Sequence, residues 1–395
     1  MAEPTTAALE FDPYSYEIHE DPYPVYARLR DEAPAYFNEK RGFWALSRYD
    51  DVRTATNDWR TFTSSQGITI EPLRRGIEPH IIEMDPPRHT QLRSLVSRAF
   101  TPNRIARLEE PIRARSRALI EAFAGSGRVD LIADFAALLP MAVISEMLGV
   151  AEADQDRLRH AADALLHREP DSDEITPAGI EGATTLYGYF DALIRDRRTR
   201  PGDDLLSVLL DAEEQGHALT HSELLGFCFL LIIAGNETTT KLLGNAVYWL
   251  AENPDQHAAV RRDPSLMAAA VEETLRYDGS TQAMARCLTE DVELHGETLR
   301  SGTKVLLLFG SANRDERHWP DADRFDVRRD TAGHFSFGHG IHHCLGAALA
   351  RLEARVALVE LLPVLGDYEI EKDHTRRVHS GNVRGFASLP LRFSP

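Results

Sequence analysis

The sequence predicts a mainly α-helical chain with a minor β-sheet region, and three observations predict it. Helical periodicity dominates from Arg88 to Ala251, one capped apolar span inside that region is unusually long, and strand-like alternation is confined to short stretches. GFWALSRY, from Gly42 to Tyr49, reads as strand; DVELHGETLRSGTKVLLLFG, turning at Gly296 and again at Ser301 and Gly302, reads as a β-hairpin. No repeat of 20 to 50 residues occurs, and no Pro/Gly/Ser linker separates two halves, so residues 1–395 are expected to form one domain.

Composition narrows the function. The chain carries 44 Lys and Arg against 62 Asp and Glu, a net charge of −18, which disfavours a nucleic-acid binder because a polyanion requires a basic surface. An apolar content of 43% excludes an acidic disordered chain. The N-terminus lacks a basic start followed by an apolar stretch, and the longest nearly apolar run, Leu224 to Gly235, is too short to span a membrane. A cytoplasmic protein without a membrane anchor is expected.

The long span is bounded by a capping box, Thr220 to Glu223, and by the stop signal Asn253-Pro254. At ~1.5 Å per residue, roughly thirty residues make a helix of about 45 Å. Its first half is apolar on most faces, which implies burial, yet Asn236, Glu237, Thr238, Thr239 and Thr240 sit in its middle. Carboxylates are rarely buried without a partner or a task.

There are three cysteines, Cys228, Cys287 and Cys344, an odd number that calls for a chemical role for at least one. Cys344 lies in HFSFGHGIHHCLGAALAR, from His334 to Arg351, just before a helix starting near Ala347. Three readings compete: a glycine-rich turn with an incidental cysteine, a zinc site drawing on His339, His342, His343 and Cys344, or a thiolate ligand to haem iron. No second Cys or His pair has zinc spacing, whereas one Cys between glycines at a helix N-terminus suits a thiolate. Gly340 and Gly346 would let a flat cofactor approach. The spacing favours haem over zinc.

FGHGIHHCLG, from Phe337 to Gly346, resembles the haem-binding signature of the cytochrome P-450 family, the haem-thiolate monooxygenases, in its soluble bacterial form. Four further motifs occur in the family's order. Glu273 and Arg276 in VEETLRY match its E-x-x-R pair, and Arg324 in PDADRFD matches the arginine completing a buried triad. AGNETT, from Ala234 to Thr239, matches the oxygen-activation segment, and MDPPRHTQLR, from Met84 to Arg93, matches an early haem-contacting helix. The resemblance implies the cytochrome P-450 fold, with the long central helix over haem b.

By this resemblance Cys344 is the axial ligand, Phe337 shields the thiolate, and His342 contacts a propionate, as do His89, Arg93 and Arg286. Gly346 belongs to the haem cradle. Cys228 and Cys287 read as buried packing residues. Reducing dioxygen consumes protons at a buried site, so a relay is needed; Thr238 with Glu237 is the candidate acid-alcohol pair. Ala234 and Gly235 leave room for oxygen, and Glu237 points about 100° away from Thr238 around the helix. The family commonly has Asp where this chain has Glu237.

The pair favours a dioxygen-dependent enzyme fed by separate proteins, a ferredoxin and its reductase, with NAD(P)H the ultimate source. Between Arg88 and Arg117, eight Arg face two Glu, a basic segment on which an acidic ferredoxin is expected to dock. A monomer is expected. The rival reading is a non-catalytic haem-thiolate sensor, which needs no relay. For a lipophilic substrate the expected walls are Ser64 to Ile82 (with Ile68, Ile70, Leu73, Ile81 and Ile82), a stretch around Leu165 to Leu193, and Leu230 to Glu237 including Leu231. Thr281 to Met284, with Gln282 and Ala283, and then Asn382 and Val383 complete them.

Overall fold

The structure, a computed structural model, describes residues 9–71, 80–214 and 219–394, so Leu73 lies outside the described residues. One α-helix, His221–Glu252, forms the axis of the fold. Its start is the expected capping box: Thr220 Oγ1 accepts from the Glu223 amide at 3.2 Å, and Glu223 Oε2 accepts from the Thr220 amide at 2.8 Å. Asn253 ends it ahead of Pro254, which opens the next helix. Thirty-two residues at ~1.5 Å make about 48 Å.

This helix joins two apolar cores. Leu224, Phe227, Cys228 and Ile232 pack with Leu186, Phe190 and Ile194 of helix Pro177–Thr199. Beyond them, Leu242, Leu243, Ala246 and Val247 pack with Val356, Leu358 and Leu361 of helix Ala347–Leu365. The polar run from Asn236 to Lys241 lies between the two clusters, which is how one helix carries two apolar halves and a polar middle.

The sheet content is small. A five-stranded sheet runs in the order Ala35–Asn38, Phe43–Leu46, Lys304–Leu308, Ala283–Leu288, Phe62–Thr63, antiparallel except where Phe43–Leu46 lies parallel to Lys304–Leu308. The stretch from Gly42 to Tyr49 is strand only over Phe43–Leu46, because Tyr49 begins a helix. The expected hairpin forms between Val292–Leu294 and Glu297–Leu299, turning at His295 (φ 54°) and Gly296 (φ 83°); only the latter suits a residue without a Cβ by default. Past Gly302 the chain leaves the hairpin and enters the large sheet as Lys304–Leu308. Among the described residues, no single helix is long and apolar enough to cross a membrane.

Candidate active site

A large cavity lies against the middle of the central helix, lined by Ala234, Gly235, Thr238 and Thr239 on one side and by Cys344, Leu345 and Gly346 on the other. The cysteine loop is closed by the Cys344 amide donating to the Phe337 carbonyl at 2.8 Å and the Gly338 amide donating to Phe335 at 2.7 Å. Gly338 and Gly340 have φ of 63° and 66°, conformations a side chain disfavours. Gly346 precedes the helix, and a Cβ there would project into open space, as a cradle for a flat group requires. Gly340 has a different reason: a Cβ would come 2.6 Å from the Thr56 carbonyl, so packing excludes it.

Cys344 faces the cavity, exposed to it although deep in the molecule. Burial raises its thiol, against the amides of Gly346 and Ala347 and the charges of Arg93 and Arg351, which favour the thiolate. No group of three or more His, Cys, Asp or Glu positioned to hold a metal ion occurs among the described residues, which removes the zinc reading. Cys228 and Cys287 are buried, and burial pushes the Cys228 thiol up to about 12.

The positive side chains converge at one edge of the cavity. His89 and Arg93 stand one turn apart on helix Arg88–Ser97, and the His89 ring lies 4.5 Å from that of His342. Arg286 comes from strand Ala283–Leu288, is 6% exposed, and among the described residues donates only to the neighbouring Ala285 carbonyl, at 2.8 Å. Arg93 donates to the His343 carbonyl at 2.5 Å. Burial first, then Arg286, His89 and Arg93, push the His342 imidazole down to about 3. His89 Nδ1 and His342 Nε2 are buried without partners among the described residues. Orphaned donors amid uncompensated positive charge fit the two carboxylates of a haem edge. His89, Arg93, Arg286 and His342 would hold that edge, and Cys344 would take the iron.

Behind the cysteine loop, Phe337 carries Arg351 over its ring at 4.4 Å. Arg351 pairs with Glu272 at 2.5 Å, and His334 meets the same carboxylate at 3.1 Å. Glu272 and Arg351 stand in ordinary helix patterns, so no sequence signal separates them from surface charges.

The E-x-x-R pair is fully buried: Arg276 Nε and Nη2 reach Glu273 Oε2 and Oε1 at 2.7 and 2.8 Å, and Arg276 Nη1 donates to the carbonyls of Asn313 and Ala322. The third member is not Arg324. That side chain is 63% exposed, 3.8 Å from Asp326, and only its carbonyl turns inward to accept from Arg276. Arg329 takes the place, its guanidinium 3.4 Å from Glu273 and 11% exposed. The loop passes Arg324 with its backbone inward and returns five residues later.

Thr238 lines the cavity, and its hydroxyl donates to the Ala234 carbonyl at 2.7 Å. Glu237 points away, as its helical position requires, and pairs with Lys241 at 2.8 Å, both side chains under 10% exposed. Ala234 faces the cavity openly. Gly235 also lines it, but its missing Cβ would lie 3.1 Å from Ile144, so its smallness also serves helix packing.

Of the expected substrate walls, Ile68, Ile81, Ile82, Leu230, Leu231, Thr281 and Met284 line the cavity. Ala283, Gln282, Asn382 and Val383 do not. Alternation along Ala283–Leu288 turns Met284 and Arg286 to the cavity and Ala283 into another core. The Gln282 side-chain amide packs onto Gly310 and donates to the Gly279 carbonyl at 2.8 Å; the Asn382 backbone carbonyl accepts from the Gln282 backbone N–H at 2.9 Å. Val383 is buried behind, bridged to Thr281. No residue from Leu165 to Leu193 reaches the cavity, and Ile70 packs elsewhere; Phe227 and Ile144 contribute instead.

Glu353 also lines the cavity, 2% exposed, with Oε2 unpartnered among the described residues. Burial pushes its carboxyl from the ordinary 4.5 up to about 8. The folded chain thus holds a proton that the unfolded chain releases, so this stability term is full below the unfolded value and is lost as pH rises through about 8. The loss is ~5 kcal/mol at most. Glu353→Gln is expected to flatten the fall in melting temperature between about pH 4.5 and 8; an unaltered pH profile would refute the assignment.

The comparisons agree with this geometry. The family model described as Cytochrome P450 matches residues 184–389. "Putative cytochrome P450 123" of Mycobacterium tuberculosis is 47% identical over 388 residues, covering 97% of this chain and 96% of that protein. "Vitamin D(3) 25-hydroxylase" of Pseudonocardia autotrophica is 39% identical, covering 100% and 99%. The crystal structure of CYP109E1 from Bacillus megaterium with testosterone superposes with a TM-score of 0.90 at 33% identity, covering 96% and 100%. With a cysteine facing the central helix across a cation-edged cavity, and relatives matched along nearly their whole length, the chain belongs to the cytochrome P450 family of haem-thiolate monooxygenases, whose cofactor is haem b.

Proposed function

We propose that residues 1–395 act as one catalytic domain that inserts an oxygen atom from dioxygen into a lipophilic small molecule. The observation that carries this reading is that Cys344 and Thr238 face one cavity whose remaining walls are largely apolar. Haem bound there supplies iron that activates dioxygen. The protein supplies the rest: Cys344 donates electron density as thiolate, the basic edge neutralises the propionates, and Ile81, Ile82, Leu231 and Met284 exclude water around the substrate. Thr238 holds a proton at Oγ1 on the cavity side, and Glu237 supplies protons from behind the helix. The relatives' steroid and secosteroid ligands, testosterone and vitamin D3, support a bulky apolar substrate class.

Electrons come from a ferredoxin and its reductase, ultimately from NAD(P)H. Within the basic segment, Arg113, Arg115 and Arg117 are matched by Glu109, Glu110, Glu152 and Glu360. Arg98, Arg104 and Arg107 remain exposed without an ion pair among the described residues, and they are the candidate contacts for an acidic donor.

The test is Thr238→Ala, assayed with a compound found by spectral titration of lipophilic molecules. NADPH consumption should continue while product per NADPH falls about tenfold, the missing electrons appearing as peroxide. Unchanged coupling would reject the relay.

A further inference from the structure

The turn of the central helix that carries Thr238 is locally weak. It contains Gly235 and the run Thr238 to Thr240, residues of low helix propensity. The Thr238 hydroxyl also bonds back to the Ala234 carbonyl, a contact that competes with the helix ladder and bends it. Such a turn needs outside anchors to hold one geometry. Away from the cavity, Thr240 donates to the Ala136 carbonyl at 3.1 Å. On the cavity side the anchor is Ser280: its hydroxyl donates to the Thr238 carbonyl at 2.7 Å, and the residue is 4% exposed and lines the cavity.

Ser280 is itself held by a buried charge pair. Its carbonyl accepts from the Arg384 amide at 2.7 Å, and Arg384 Nε donates to Asp278 Oδ1 at 2.8 Å, with both side chains in the interior. The central helix meets the same segment twice more: Asn245 Nδ2 donates to the Asp278 carbonyl and Trp249 Nε1 to the Asp278 carboxylate, each at 2.8 Å. Positions 245 and 249 lie within about 20° of position 238 around the helix, so Asp278 to Ser280 run along one of its faces. The segment also reaches the cysteine loop. A Cβ on Gly279 would lie 2.5 Å from Ser336 Oγ, and Ser336 donates to the Leu275 carbonyl at 2.5 Å. One short segment therefore spans from Thr238 to the loop that carries Cys344.

We propose that Ser280 is a positioning residue for the oxygenation: by holding the Thr238 carbonyl, it fixes the turn that presents the Thr238 hydroxyl to the cavity. The inference deepens the reading of Thr238 as the cavity-side proton carrier and rests on it. Ser280 acts through Thr238 and passes no proton itself, because its one hydroxyl hydrogen is engaged by the Thr238 carbonyl. A displacement of about 1 Å at a group that must meet a reacting atom is enough to lose most of its benefit. Removing the anchor leaves Cys344, the basic edge and the apolar walls in place, so binding is separable from proton delivery.

The test uses the haem-loaded enzyme with the lipophilic compound chosen by spectral titration, and compares Ser280→Ala, Ser280→Val and Ser280→Thr with Thr238→Ala. Valine and threonine share a shape and differ in the hydroxyl, so they separate the hydrogen bond from the size of the side chain. In the alanine and valine variants product per NADPH should fall about fivefold, with peroxide making up the difference, while threonine should restore it. The dissociation constant read from the spin shift should be the same in Ser280→Ala as in the wild type. Backbone amides from Asn236 to Leu242 should exchange with D2O faster in the alanine and valine variants than in threonine or the wild type. Adding Ser280→Ala to Thr238→Ala should cost nothing further. Four results would overturn the positioning role while an uncoupled Thr238→Ala keeps the relay: wild-type coupling in Ser280→Ala, threonine no better coupled than valine, unmoved amide exchange, or further loss in the double variant. A weakened dissociation constant in Ser280→Ala would overturn it too, by placing Ser280 on the substrate. If Thr238→Ala is itself fully coupled, the relay is rejected and the role of Ser280 falls with it.

Discussion

Cys344→Ser is expected to abolish monooxygenase turnover and the red-shifted band of the reduced, CO-bound protein. Serine is nearly isosteric, and the Cys344 amide bond to Phe337 involves only backbone, so the loop closure survives the change. What is lost is a soft, polarisable donor; an alcohol at this position stays protonated and pushes far less charge toward iron. A barrier increase of about 4 kcal/mol corresponds to a rate loss on the order of a thousandfold. The basic edge formed by His89, Arg93, Arg286 and His342 is untouched, so haem should still bind. The measurement is the CO difference spectrum alongside substrate-dependent product formation. A variant that kept the thiolate band would show that another residue ligates the iron.

Arg276→Ala should be the most damaging substitution outside the cavity. It leaves Glu273 without its bidentate partner at 0% exposure, with only Arg329 at 3.4 Å and the Asp326 amide at 2.9 Å. It also orphans the carbonyls of Asn313 and Ala322, which accept from Arg276 Nη1. Breaking a buried pair by removing one member costs about 3–5 kcal/mol, a large part of a domain's typical stability of ~5–15 kcal/mol. Poor expression and haem-free protein are expected, with a melting temperature well below the wild type in any protein recovered. Arg324→Ala is the matched control. Because that side chain is exposed and only its carbonyl is used, its melting temperature should stay near the wild type. An Arg324→Ala variant as unstable as Arg276→Ala would refute the assignment of the third position to Arg329.

The sequence was most informative where chemistry depends on local spacing. The Thr220 to Glu223 cap, the Asn253-Pro254 stop, the shared face of His89 and Arg93, and the opposed directions of Thr238 and Glu237 all follow from the geometry of one helix. They appear in the structure as expected. Strand alternation was only partly legible. Met284 and Arg286 do face the cavity, but Gln282, just before the strand begins, folds over Gly310 instead.

Sequence alone determined the order of the motifs, the place of Cys344 in a glycine-rich loop just before a helix, and the length and ends of the central helix, because these depend on contacts within a few residues. Tertiary structure decided which of two arginines five positions apart turns inward to Glu273, and that Glu353 is buried with its Oε2 unpartnered among the described residues. Those outcomes depend on loop paths and helix packing, which no periodicity encodes. The acidic chain of net charge −18 gains its chemistry from where a few charges are forced out of water.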